Sequence, residues 1–179
     1  GEWQNNVTPI QQQVKILREI CKYIESEQIA AGGSPNIYYS VENNTIGEAA
    51  LVSINEMGEE SIPGHFLSEP IKKGHVRRFR RGFNTTNSAK IAACAKFKQL
   101  VEQKKMEICS KSLISELKSF VASSGSYAAK IGETDDLVMA SLLTVRMLQE
   151  LSDYHFNLEE QIRDHDEYIQ PLPFFAVLS

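Results

Sequence analysis

Residues 133–140 read ETDDLVMA, so two adjacent carboxylates, Asp135 and Asp136, stand directly before an apolar run. Such a pair admits two chemistries. Acids in the first turn of a helix are favoured by the partial positive charge of its unpaired amides, by roughly 0.3–1 kcal/mol each. Alternatively, carboxylates whose repulsion is relieved by a cation select Mg2+ or Mn2+ as hard oxygen ligands. A further carboxylate, Glu42, closes the β-rich stretch NIYYSV and is followed by Asn43 and Asn44. The carboxyl end of a strand is where α/β proteins place ligands, and also where acids cap the next turn. Were Glu42, Asp135 and Asp136 to converge, two ions about 3.5–4 Å apart on them would activate water and stabilise the leaving oxygen in phosphodiester cleavage.

A basic strip supplies the other candidate chemistry. Residues 72–81, KKGHVRRFRR, contain Lys72, Lys73, Arg77, Arg78, Arg80 and Arg81 with no acid among them. The net charge of −4 opposes nonspecific binding of polyanions by the chain as a whole. A local strip binds phosphate whatever the total. Phe79 lies within it and Phe83 just beyond, which adds stacking to phosphate contact as one reading. A solvated loop is the other.

The elements that must position these residues are legible from periodicity and punctuation. Thr8-Pro9-Ile10-Gln11 opens a helix as a capping box, with Val14, Leu17, Cys21 and Ile24 at helical spacing and Gly32-Gly33 beyond it. Residues 36–41 form a strand, and Thr45-Ile46-Gly47-Glu48 opens a second helix, to about Met57. Residues 58–83, rich in glycine and proline, read as short strands or a hairpin carrying the basic strip. Helix returns over about 87–105, with Ile91, Cys94, Ala95, Phe97 and Val101 inward. MEIC, residues 106–109, reads as a short strand, residues 113–122 as a helix, and SSGSYAAKIGE as a small-residue loop. Thr134 is the expected N-cap of the last long helix. One face of that helix carries Leu137, Ser141, Thr144, Leu148 and Leu151, broadened by Leu142, Leu143 and Val145. Past Tyr154 the chain turns acidic and ends in PLPFFAVLS, an expected extension over 153–179 after a domain spanning 1–152.

Composition sets outer bounds. A chain of 179 residues suits one domain, and 42% hydrophobic with 23% charged residues are ordinary globular values. Cys21, Cys94 and Cys109 are odd in number and widely spaced, which suggests neither a disulfide framework nor a CxxC zinc site. With no long uncharged apolar run and no signal pattern at GEWQNN, a soluble cytoplasmic protein without membrane contact is expected. Strands alternating with helices imply an α/β layered fold.

Several of these pieces together resemble a known family. In order they are IYYSVENNTIGEAAL; GFNTTNSAKIAACAKFKQLVEQKKMEI, with Gly82, Thr86, Lys90 and Cys94 four apart; SLISELKSF; and ETDDLVMASLL. Over about residues 3–152 the chain resembles the C-terminal nuclease domain of the large terminase subunit of tailed bacteriophages, most closely the myovirus type. The resemblance implies a ribonuclease-H-like fold, with a mixed central sheet flanked by helices, and a two-metal endonuclease on Mg2+ or Mn2+ that cuts concatemeric double-stranded viral DNA during packaging. It implies Glu42 as the second family acid and the DD pair as the third, with Asp136 favoured and Asp135 its neighbour. Lys72, Lys73, Arg77, Arg78, Arg80, Arg81 and Lys90 become candidate DNA contacts. Implied partners are the terminase motor ATPase domain, the portal and the small terminase subunit, in the cytoplasm of an infected bacterial host and transiently at the procapsid portal. The family's first acid lies on an opening hairpin that nothing before Glu42 matches, and no G-x-x-x-x-G-K-[ST] phosphate loop is present. The expectation is therefore an N-terminally truncated nuclease domain of weak or absent activity. Two rival readings are a non-catalytic DNA- or protein-docking module built on residues 72–81, and another ribonuclease-H-like nuclease such as a resolvase.

Overall fold

The computed structural model describes residues 1–73, 76–123 and 125–166, and of these it describes the backbone alone for Thr45, 71–80 and 154–166. Two compact units divide the chain, Gly1–Met147 and Leu148–Ser179. In the first, helix α1 (Ile10–Ala30) leads to strand β1 (Tyr38–Tyr39), helix α2 (Thr45–Met57) and a 3-10 turn, Glu59–Ser61. Strands β2 (His65–Phe66), β3 (Glu69–Lys73) and β4 (Val76–Arg80) follow, then helices α3 (Asn87–Glu102) and α4 (Lys111–Ser119). Strands β5 (Phe120–Ser123) and β6 (Ser126–Ala129) precede the last helix, α5 (Asp136–Asp166). The second unit is described only as the part of that helix from 148 to 166.

The chain is thus mixed α/β, but among the described residues its strands form three separate pairs rather than one central sheet. β1 and β2 run parallel, with Tyr38 opposite His65 and Tyr39 opposite Phe66; β3–β4 and β5–β6 are antiparallel hairpins. Among the described residues no helix is long and apolar enough to cross a membrane.

Two clusters of buried apolar residues carry the first unit. Val14 and Cys21 of α1 meet Ile37, Tyr39, Ile54 and Ile62, with Leu17, Val41 and Phe66 packed around them. Ala93 and Phe97 of α3 meet Val138, Leu142 and Val145 of α5, surrounded by Leu113 and Leu117 of α4 and Phe120 of β5. The inward stripe of α5 is therefore Val138, Leu142 and Val145, while the expected Thr144 is exposed. α3 is likewise turned: Ala93 is buried and Ile91 exposed.

Local chemistry explains several departures from expectation. α1 starts at Ile10 with no side-chain cap, because its N-cap position is held by Pro9, while the Thr8 hydroxyl one residue earlier donates to Asn5 Oδ1 at 2.8 Å. α2 is capped one residue early, by Asn44, whose Oδ1 accepts from Gly47 N at 2.8 Å. MEIC forms no strand. Lys104 adopts φ 56 in the left-handed region, and Lys105 and Met106 amides return to Leu100 O, so the chain turns back and packs Met106 and Ile108 against the second cluster. The expected helix over 113–122 ends at Ser119, since Phe120 and Val121 pair with Ala129 and Ala128, and the supposed loop is the return strand. Phe120 and Tyr127 stack across it at 6.0 Å. The three cysteines are free, with burial pushing the thiols of Cys21 and Cys94 above their usual pKa.

The first cluster yields a direct check. Ile54 is fully buried and Ile46 is 67% exposed on the same helix. Ile54→Ala should cost about 2–5 kcal/mol in urea-monitored unfolding, and Ile46→Ala less than about 0.5 kcal/mol. Equal costs would contradict the face assigned to α2.

Candidate functional site

The Glu42 backbone is held by a parallel bridge to Phe83, in which Phe83 N donates to Val41 O at 3.0 Å and Asn43 N donates to Phe83 O at 2.7 Å. Asn43 Nδ2 adds a bond to Arg81 O at 2.9 Å. A tight turn follows, with Asn44 N on Glu42 O at 3.0 Å, and α2 then rises directly over that carbonyl. Gly47 is required there: a Cβ would stand 1.6 Å from Glu42 O. Gly82 meets the same strand end from the other side, at φ 68 with space for no Cβ beside Val41 O. The half-buried Glu42 carboxylate accepts from Asn44 Nδ2 at 3.2 Å.

Phe83, 1% exposed, joins this strand end to α5. Arg146 of α5 lies 5.0 Å over its ring, donates through Nη1 to Asn84 O at 3.2 Å and pairs through Nη2 with Glu69 Oε1 at 2.7 Å. The other Glu69 oxygen accepts from Asn84 N at 3.0 Å. These groups, on three segments, close one polar ring around a buried phenyl.

At the other end of the segment 83–90, α3 is capped by Thr86, whose Oγ1 accepts from Ala89 N at 3.2 Å. Lys90, one turn in, has its ammonium 5.4 Å over the Phe120 ring and 3.8 Å from Asp135 Oδ2. Two residues singled out in the sequence are thereby brought together: Lys90 neutralises Asp135. Asp136 stands beside them, exposed, with Oδ2 accepting from Gln4 Nε2 at 3.1 Å.

Neither aspartate side chain caps the helix they open. The amides of Leu137 and Val138, which an N-cap side chain would ordinarily take, donate instead to Oε2 of Glu116 on α4, at 2.8 and 3.1 Å. Oε1 of the same carboxylate accepts from Thr134 Oγ1 at 3.0 Å and from Gln4 Nε2 at 3.2 Å. Thr134 therefore serves Glu116 and is not the cap. Glu116, 8% exposed, is the residue that sequence reasoning missed. Its signal was an acid at an inward position of an amphipathic nine-residue helix, between Leu113 and Leu117.

The candidate acids fall into two places. Glu42 belongs to the Phe83 end of segment 83–90 and Asp135 to the Lys90 end. Along α5 the corresponding anchor points, Arg146 and Asp136, are separated by about ten residues, roughly 15 Å of helix axis. Among the described residues no three of His, Cys, Asp and Glu come together as a metal-holding group. Asp136 is exposed, one of its oxygens is hydrogen-bonded to Gln4, and its carboxylate is not spent on the helix amides.

No protein-family model matches the chain, and no curated protein matches it.

Of the basic strip, the backbones of Lys72, Lys73, Arg77, Arg78 and Arg80 lie in the β3–β4 hairpin, with Lys72 opposite Arg77 and Ile71 opposite Arg78. Their side chains lie outside the described residues, as do the acidic segment's side chains past Tyr154 and the whole of PLPFFAVLS. Arg81 is described, and its guanidinium is engaged: it pairs with Glu59 and lies 5.2 Å over the Phe66 ring.

The capping assignment separates the two readings of the DD pair. Glu116→Ala should cost about 2–4 kcal/mol, because it strands two amides and two side-chain donors at a half-buried helix start. Asp135→Ala and Asp136→Ala should each cost under about 1 kcal/mol. Chemical denaturation of the three variants decides the matter; larger losses from the aspartates would return the capping role to them.

Proposed function

We propose that the chain is a nuclease domain of the terminase type, a Mg2+- or Mn2+-dependent endonuclease of ribonuclease-H-like fold that acts on double-stranded DNA. The observation that carries this reading is the assignment of the α5 amides to Glu116. With the helix start satisfied from α4, the side chains of Asp135 and Asp136 have no capping task, and carboxylates are the hard oxygen ligands that Mg2+ and Mn2+ take.

Asp136 would hold the ion, with Asp135 beside it; Glu42 is the further ligand the family resemblance implies. When bound, the metal supplies a Lewis acid for the phosphodiester and an activated water. The chain's own residues prepare for that. Gln4 fixes one Asp136 oxygen and leaves the other free, and Lys90 compensates Asp135 so that the pair does not present two uncompensated charges. The hairpin β3–β4 brings Lys72, Lys73, Arg77, Arg78 and Arg80 to one two-stranded ribbon, a suitable carrier of DNA backbone contacts. Arg81, already paired with Glu59, contributes less to such contacts than its neighbours. By resemblance the partners are the motor ATPase domain, the portal and the small terminase subunit, and the setting is an infected bacterial cell.

One observation favours the docking-module reading: Glu42 and the DD pair are not gathered in the described structure. Nicking of supercoiled plasmid in Mn2+, at excess protein, separates the two. Under the nuclease reading, Asp136→Ala and Glu42→Ala each lower the rate more than about 100-fold, beyond the 10–100-fold usual for outer-shell partners. Replacing Arg77, Arg78 and Arg80 by Ala instead lowers the salt dependence of DNA binding, by roughly one unit of log–log slope for each phosphate no longer neutralised, with Arg81→Ala the smallest change. Mn2+-dependent nicking that survives both carboxylate replacements removes Glu42 and Asp136 from the cutting site, whereas DNA binding without any Mn2+-dependent nicking sinks the nuclease reading in favour of docking.

A further inference from the structure

Helix α1 carries more apolar surface than the first cluster uses. Val14, Leu17 and Cys21 form the stripe that packs into that cluster. A second stripe, Ile16, Ile20, Tyr23 and Ile24, recurs at i, i+4, i+7 and i+8, the spacing of a helix face that is ordinarily covered. Ile20 is 44% and Tyr23 64% exposed, and Ile24 is exposed as well. Ile16, Ile20 and Tyr23 line a groove along this flank, together with Lys15 and Glu19. The charges at the two ends of the flank are also unspent. Lys15 and Glu27 are exposed and form no ion pair among the described residues. Glu27 stands in the last turn of α1, which holds no basic residue, where the helix's own partial negative charge disfavours a carboxylate.

We propose that this flank is the contact face of a symmetric dimer, in which α1 of one copy lies antiparallel on α1 of the other. The proposal is independent of the nuclease reading. A two-fold axis across a helix pairs residues that are symmetric about one position of the chain. Four features of the flank agree on that position. Ile20 meets its own copy, Ile16 meets Ile24, Glu19 meets Lys22 and Lys15 meets Glu27, and each pairing is centred at or between Ile20 and Cys21. Apolar groups therefore fall on apolar groups, and each of these charges falls beside its opposite. Glu19 and Lys22 already lie 3.5 Å apart within one helix, so the two copies bring four alternating charges together at the axis. Parallel pairing would instead set Lys15 beside Lys15 and Glu27 beside Glu27, which repel. A single helix pair buries a modest area, at the low end below about 1,200 Å2, so association is weak and depends on concentration.

The test is sedimentation equilibrium of the full chain over a range of concentrations at low salt, with circular dichroism as the check on folding. Expected is a monomer–dimer equilibrium for the wild type, weakened about 10-fold or more by Ile20→Glu and by Tyr23→Glu, both at positions exposed in the single copy. Lys15→Glu and Glu27→Lys should each weaken association roughly threefold or more. The double variant should restore it, because exchanging the two signs keeps each pair opposite in an antiparallel contact. Should either apolar replacement disturb folding, the charge exchange carries the test, since it alters two exposed side chains. A wild type that stays monomeric over its whole soluble range overturns the dimer and gives the flank to another occupant. Dimerisation unchanged by Ile20→Glu and Tyr23→Glu overturns this flank as the contact face. Single charge changes without effect, or a double variant without recovery, overturn the antiparallel arrangement.

Discussion

α5 begins at a carboxylate that belongs to another helix. A helix start leaves its first amides without intrahelical partners, and burying them unpaired costs more than most single contacts return. In this chain Glu116 satisfies two of them from α4, and the negative charge is set where the partial positive charge of the α5 terminus favours it. Without that bond α4 and α5 would share only apolar contacts, which permit sliding and rotation. With it, the start of α5 is fixed against α4, where Val138 joins the second cluster. The placement of Phe97, Leu117 and Phe120 around Val138 and Leu142 follows from the same anchor.

The two apolar clusters meet a second constraint at Phe83. A buried phenyl bridged in sequence to the basic hairpin on one side and to α3 on the other would be free to shift were it held by dispersion alone. Arg146 removes that freedom by covering the ring while its guanidinium is shared between a carboxylate and a backbone carbonyl. Arginine suits this place because a planar fork can stack and donate at once, whereas a lysine would satisfy only one of these demands. The strand end that bears Glu42 is thus tied to the middle of α5, and the DD pair to its start.

How much of this was legible in the residues depends on whether the determining contact is local. The DD pair at a helix start, the opening of α3 at Asn87, the hairpin under KKGHVRRFRR and the approximate spans of α1 and α2 follow from spacing and turn chemistry within a few positions. Failures arise where a distant partner decides. Thr134 looked like a cap because nothing nearby announces that Glu116, eighteen positions back, takes its hydroxyl. Thr8 does not cap because Pro9 holds the N-cap position of α1, and the Thr8 hydroxyl donates to Asn5. Phe120 and Val121 continued a helical pattern until pairing with Ala129 and Ala128 made them a strand, as their aromatic and β-branched character allows. The inward face of α5 was displaced by one position because Leu137 and Val138 are both apolar, and packing against Ala93 and Phe97 of α3 takes Val138.

The separation of Glu42 from the DD pair has an electrostatic side. A cation stands at each end of segment 83–90, Arg146 near Phe83 bound to Glu69 and Lys90 bound to Asp135, while the Glu42 carboxylate accepts from Asn44 instead. Lys90 is the more exchangeable of the two, since a single ammonium at 3.8 Å on a flexible stem holds its partner less firmly than the stacked, doubly bonded guanidinium holds Glu69. The Lys90 contact is therefore easier to break than the ring closed by Arg146. Since Lys90 also lies over Phe120, its displacement leads directly into the β5–β6 hairpin rather than toward Glu42. Glu42 and the DD pair are therefore held by separate contacts, the first by the bridge to Phe83 and the second at the Lys90 end of the segment.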